Sequence, residues 1–246
     1  FMLADKVTLV TKAPGEAMGT LWESSGEGEY TIEDIEKEGR GTEITLHLRK
    51  DEEDNTYSEY LEEWEIKNLV KKYSDYVRYP IFMDIKRESE GENPDGKTTE
   101  IKRETLNSMT PIWKKNKNDI TEEEYNEFYK GKFHDWIDPV KVIHTTVEGN
   151  IEYTALLYIP SKTPMDFYSK EYEKGLQLYT KNIFIMDKCK ELVPDYFRFV
   201  KGLVDSADFS LNISREILQQ NKVLQSISNN LEKKIKKELE TMLKND

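Results

Sequence analysis

The tightest constraint on the fold comes from two runs of strand character, 140–147 and 151–159, separated only by Glu148-Gly149-Asn150. Runs of this kind joined by a short glycine-containing turn pair as an antiparallel hairpin. In the second run Ile151, Tyr153, Ala155, Leu157 and Ile159 recur every other residue and so share one face. That face needs a cover. The chain's last helical pattern, from about Ser214 to Lys244, repeats Ile227, Leu231, Ile235, Leu239 and Leu243 at every fourth position. Such a stripe packs against a sheet or against a following subdomain. An α/β class follows, of the mixed α+β sandwich kind.

Earlier in the chain, 6–12, 18–23, 29–32 and 41–49 alternate as strands do, with Ile44, Leu46 and Leu48 on one face of the last. Gly26-Glu27-Gly28 is a turn between them, and a four-strand meander is the simplest arrangement. A helix is predicted over 58–79, where Leu61, Trp64, Leu69, Tyr73, Tyr76 and Val77 form a stripe and Pro80 ends it. Strands at 81–87 and 98–106 flank the polar break 88–96, the best linker candidate in the sequence. The expected division is therefore 1–87, a short linker 88–97, and 98–246. In the last of these, Thr121 with Glu124 is a capping box opening a helix through about Lys130. A strand is expected at 182–186, and Pro194 is placed to open a helix over 195–201.

The 246 residues carry 36 Lys plus Arg against 48 Asp plus Glu, a net charge of −12. Such a surface repels phosphate backbones on average, so a general nucleic-acid role is not expected. Lys114-Lys115-Asn116-Lys117 reads as solvated loop. The single cysteine, Cys189, has no disulfide partner in the chain and reads as a small buried residue in a reducing compartment. No apolar run approaches membrane-spanning length, and an acidic cytoplasmic protein is expected. The opening Phe1-Met2-Leu3-Ala4 begins inside a strand pattern, as a piece of a longer protein would. His47, His134 and His144 are far apart and lack metal-ligand spacing, so no metal is expected. Glu122-Glu123-Glu124 favours a helix dipole rather than acid catalysis. There is no phosphate-cradling glycine loop of the usual pattern and no nucleophile elbow.

One stretch stands apart. In Leu211-Asn212-Ile213-Ser214-Arg215-Glu216-Ile217-Leu218-Gln219-Gln220, polar and charged groups fall where a loop becomes the last helix. Helix starts present free N–H groups and favour anions, so Arg215 and Gln219 could meet a phosphate. On residue chemistry alone, Ser214 equally caps the helix and Arg215 makes a solvated ion pair.

This stretch, with Asp205-Ser206 before it, closely resembles the middle-domain signature of the ninety-kilodalton heat-shock chaperone family. Pro111-Ile112-Trp113, Asp119 to Tyr125, Asp135-Trp136-Ile137-Asp138-Pro139, Tyr153 to Ser161 and Phe199 to Ser206 resemble it in the same order. The likeness covers essentially the whole chain, and the short charged break favours the bacterial branch. It implies the closing strands and helix of a GHKL-type nucleotide domain, then a ribosomal-S5-like α/β middle domain ending in a long helix.

It also implies ATP with Mg²⁺ as cofactor of the full-length protein, with none expected bound to this stretch alone. The family's glutamate base and its metal-holding asparagine would precede Phe1. Gly41-Thr42 matches the family's last nucleotide-pocket motif, which puts Thr42 on the adenine side. The arginine matching Arg215 reaches the γ-phosphate in the closed state, and Gln219 supports it; guanidinium suits this task, being permanently charged and able to donate two parallel hydrogen bonds. Trp113 matches a tryptophan near client contacts, and Met165, Phe167 and Tyr168 could form the patch on which the nucleotide domain docks; core packing is the competing account for all of them. Implied partners are non-native client proteins, the protein's own N-terminal ATPase domain and a second copy through a C-terminal domain, with no nucleic acid and no membrane. The rival reading is a non-catalytic α/β interaction module in which Arg215 is structural.

Overall fold

The computed structural model describes residues 1–90, 97–164, 167–209 and 222–245. The α/β expectation is borne out, in two compact units, 1–68 and 69–246.

The first unit is a four-stranded antiparallel sheet of β1 (Ala4–Lys12), β2 (Gly19–Ser24), β3 (Tyr30–Ile35) and β4 (Gly41–Leu48). Its order is β3-β2-β1-β4, so the expected meander holds for three strands only. The fourth returns to the free edge of β1, where Leu9 faces Ile44 and Val7 faces Leu46. The crossing runs through Gly39 and Gly41, both at positive φ, which relieves the sharp reversal of the chain. The register gathers Val7, Leu9, Trp22, Ile32, Ile44 and Leu46 on one face.

The expected 58–79 helix is shorter. A 3₁₀ turn, Tyr57–Leu61, precedes α1 (Glu63–Tyr73). The Asp51 carboxylate holds that turn's start, accepting from the Ser58 amide at 2.8 Å and its hydroxyl at 2.6 Å. Those bonds, the hydroxyl's above all, hold the Asp51 carboxyl below its ordinary range. Past Tyr73 the helix gives way to a turn, because the Asp75 carboxylate accepts the Ser108 amide at 2.8 Å and the Asp75 carbonyl accepts that of Met109 at 2.8 Å. Tyr76 is thus buried by a turn rather than by a helical face.

In the second unit β5 (Phe82–Glu90) and β6 (Lys97–Thr105) pair as a hairpin, so positions 88–90 of the expected linker belong to a strand and 91–96 lie outside the described residues. α2 (Glu122–Phe133) starts on the predicted capping box: Thr121 Oγ1 accepts the Glu124 amide, and the Glu124 carboxylate accepts that of Thr121. It runs three residues past Lys130, and His134 closes it in the left-handed conformation.

The main sheet has five strands: β7 (Lys141–Val147), β8 (Tyr153–Ile159), β9 (Leu176–Thr180), β10 (Ile183–Cys189) and β11 (Lys201–Asp205), ordered β10-β9-β11-β8-β7. The predicted hairpin is β7–β8. β9 and β11 were not anticipated, and residues 195–201 are no helix: Asp195–Phe197 is a 3₁₀ turn and Lys201 already begins β11. Gly202 lets β11 lie close to β8, since a Cβ there would overlap the Leu156 carbonyl oxygen and come 2.8 Å from Leu157 Cα.

Both faces of this sheet are covered. On one, α3 (Lys222–Asn245) lays Leu224, Ile227, Leu231 and Ile235 over Ala155, Leu157, Leu178 and Val204. The stripe ends before Leu243, which is exposed. On the other, α2 and the Trp113 turn cover an aromatic cluster of Tyr76, Trp113, Tyr129, Tyr158, Tyr179 and Phe184. The alternation along β8 and β11 sends Leu156, Tyr158 and Leu203 to this second side.

Candidate functional site

The end of β11 carries the chain toward the Arg215 stretch, and polar contacts concentrate there. Strand alternation places Asp205 on the same side as Leu203, among the aromatic cluster, at 1% exposure. A carboxylate so placed needs donors. The Trp113 indole Nε1–H donates to Oδ2 at 3.0 Å, Lys114 Nζ lies 3.3 Å from the same oxygen, and the Asn182 amide reaches Oδ1 at 3.4 Å. Beside it, the Ser206 amide donates to the Tyr179 carbonyl at 3.2 Å and the Ser206 hydroxyl to the Glu152 carbonyl. Asp208 Oδ2 accepts the Glu152 amide at 2.7 Å, and Phe209 is buried in the cluster beneath α3.

Trp113 is fixed from every side. Its ring meets Tyr76 edge-on at 4.6 Å and Tyr179 at 4.9 Å. Its carbonyl accepts from His144 Nε2 at 3.1 Å, and His144 Nδ1 lies 2.7 Å from the Tyr125 hydroxyl. A carbonyl can only accept, so Nε2 carries the proton and Nδ1 accepts from Tyr125. Burial pushes the His144 pKa below its ordinary value, the bond to Trp113 opposing. His144 is thus structural.

The predicted site residues fall in separate places. Arg215, Gln219 and Met165 lie outside the described residues. Thr42 is exposed on β4 in the first unit, its hydroxyl 2.8 Å from that of Thr11. Trp113 is 1% exposed, and its ring serves the core rather than the surface. Phe167 belongs to another aromatic group, 5.2 Å from Tyr172, with the Arg198 guanidinium 4.6 Å above its ring and donating to its carbonyl. Its neighbour Tyr168 is 89% exposed.

Sequence reasoning missed Asp205 as an anchor and read Lys114 as solvated. A charged residue's partner 91 positions away leaves no local signal. Trp136 is 94% exposed on a turn that Asp135 holds through bonds from the Tyr129 hydroxyl at 2.6 Å and the Ile137 amide at 3.3 Å. Cys189 is buried, and that burial pushes its thiol up to about 12, leaving it unreactive. No described helix is long and apolar enough to cross a membrane.

Comparison with known proteins identifies the family. The chain matches the Hsp90 protein family profile over residues 59–104 and 88–246, and it belongs to that family. It is 55% identical, over its whole length, to the chaperone protein HtpG of Fusobacterium nucleatum subsp. nucleatum, covering 37% of that protein. It is 50% identical to those of Clostridium perfringens and Alkaliphilus oremlandii, again over its whole length and 40% of theirs. The chain thus spans well under half of the curated relatives it matches.

Proposed function

We propose that this chain works within an ATP-dependent chaperone that remodels non-native proteins, and that it supplies the arginine acting on ATP. The observation that carries this reading is whole-length identity of 55% to a protein named as a chaperone, together with the stretch Leu211 to Gln220 that resembles the family's middle-domain signature. In phosphoryl transfer, charge develops on the γ-phosphate oxygens, and a permanently charged planar cation is suited to meet it. Arg215 fills that role and Gln219 supports it. Thr42 contacts the base side of the nucleotide through water. The remainder of the ATP and Mg²⁺ site belongs to the protein's own N-terminal domain, and a second copy of the protein completes the working dimer in the cytoplasm. Trp136, with Tyr168, supplies exposed aromatic surface suited to apolar client segments. Met165 and Phe167 belong to the docking patch for the nucleotide domain. Trp113 acts on partners only through the surface it supports.

The test is steady-state ATP turnover by the full-length protein carrying Arg215→Ala, with nucleotide affinity measured alongside. Turnover should fall by at least about 10³-fold, the low end for arginines of this kind, with affinity nearly kept. Unchanged turnover would leave Arg215 structural and the chain an interaction module. Residues 1–246 alone should turn over no ATP.

A further inference from the structure

An amine is a nucleophile only once its proton is off, and surface lysines keep theirs because water and carboxylates hold the ammonium. Lys132, near the end of α2, has little of either. It is half-buried against the aromatic cluster, its Nζ 5.7 Å from the centre of the Tyr76 ring and 5.6 Å from that of Tyr179. Those two rings meet edge to face at 6.0 Å, so the amine stands almost equally far from both. It has no ion-pair partner among the described residues, whereas Lys130, two positions earlier, is held by Asp138 at 2.9 Å. The charged groups that face it come from three elements: Lys71 on α1, Asp75 in the turn after it, and Asp187 on β10. Both carboxylates are engaged elsewhere, Asp75 by Lys71 at 3.0 Å and the Ser108 amide at 2.8 Å, Asp187 by the Gln177 side-chain amide at 2.8 Å. Burial outweighs their attraction and pushes the Lys132 amine below its ordinary pKa. Yet Nζ is not sealed off from solvent, as the enclosed, partnerless Tyr158 hydroxyl is.

We infer that Lys132 is a site of covalent acylation, taking a small acyl group from an acyl phosphate. The neutral amine attacks the acyl carbon. A C–N bond forms as the C–O bond to phosphate breaks, inorganic phosphate leaves with that electron pair, and the surplus proton on nitrogen passes to water. Two features choose the donor. Half-burial between a helix and two rings favours a small acyl group, and the Lys71 charge that reaches Lys132 favours an anionic donor. The product is a neutral amide, so the charge over the rings is lost and a planar apolar group lies against them instead. The site stands apart from the ATP reading and does not depend on it.

The test exposes the folded full-length protein to acetyl phosphate over a range of pH and follows acetyl incorporation at each lysine by peptide mass spectrometry, well short of completion. Lys130 is the internal reference, since it shares the helix and the local sequence. Lys132 should be labelled at least about fivefold faster than Lys130 near neutral pH, because a tenfold larger neutral fraction follows from each unit by which an amine's pKa falls. Its rate should also level off at a lower pH than the rate at Lys130, a difference that accessibility alone would not produce. In concentrated urea the two sites should react alike, the rings and the burial being gone. A rate at Lys132 equal to or below that at Lys130 in the folded protein would overturn the inference, as would pH profiles that coincide at the two sites. A preference for Lys132 that persists unchanged in urea would overturn it too, by tracing the reactivity to the neighbouring sequence and not to the fold.

Discussion

The four-stranded sheet of the first unit and the five-stranded sheet of the second meet opposite fates. In the second unit all seven residues of β8 and all five of β9 are buried, between α3 on one side and the aromatic cluster under α2 on the other. In the first unit the apolar face is open: Ile44 is 60% exposed, Ile32 58% and Leu46 49%. Of that sheet's described residues only Ala4, Gly19 and Ser24 are buried. Alternation announces which face is apolar. It does not announce a cover, and the two sheets show that the cover carries the energetics.

The comparison breaks most visibly at Leu231, fully enclosed between α3 and the main sheet. Leu231→Ala should lower unfolding stability by about 2–5 kcal/mol, from lost transfer energy plus the cavity left behind. Urea denaturation of the second unit followed by near-ultraviolet circular dichroism measures it. A loss under about 1 kcal/mol would mean that α3 is not seated on the sheet as described.

A smaller effect comes from pH, and it too belongs to the covered unit. His144 is neutral in its bonds to Tyr125 and Trp113, and burial lowers its folded pKa below the 6.5 of the free side chain. The unfolded chain therefore binds the proton more readily than the folded one. Its contribution is present in full above pH 6.5 and is lost as pH falls below it, down to the folded value. The urea midpoint should drop between pH 7 and pH 5.5, and His144→Gln should flatten that part of the slope, leaving the carboxylate contribution lower down. An identical slope in wild type and variant would show that the Tyr125–His144–Trp113 chain does not persist in solution.

How much of this was legible differs with the range of the cause. The β7–β8 hairpin, the Thr121 capping box and the α3 stripe are local patterns; the first two stand where the sequence placed them, and the stripe holds from Ile227 to Leu239, Leu243 being exposed and 214–221 lying outside the described residues. β9 and β11 escaped because a short strand buried on both faces shows no alternation, and because Gly202 reads as a breaker although close approach to β8 requires it. The helix over 58–79 was overextended because Tyr76 keeps helical spacing with Tyr73 while its burial comes from the Asp75 turn. Of the candidate site, Arg215 and Gln219 lie outside the described residues and are proposed from family resemblance alone, as charged residues at a helix start have too many ordinary uses. Asp205 was legible in neither way. Its donors come from positions 113, 114 and 182, and only the fold brings them to one carboxylate.

The smallest expected effect sharpens the comparison furthest. Ile44→Thr keeps a β-branched side chain in β4, so strand preference is nearly unchanged, while apolar area is exchanged for a hydroxyl. On an open face this exchange should alter stability by no more than about 0.5 kcal/mol. The same exchange at Ile235, 0% exposed on the sheet-facing side of α3, places a hydroxyl without a partner in the core and should cost several times more. Binding of a hydrophobic dye to residues 1–246 gives the second readout: Ile44→Thr should reduce it, because the dye finds its surface on the first sheet. Equal stability losses at Ile44 and Ile235, with dye binding unaffected by Ile44→Thr, would mean that the first sheet is covered in solution. The contrast between the two sheets would then be one of partner, not of exposure.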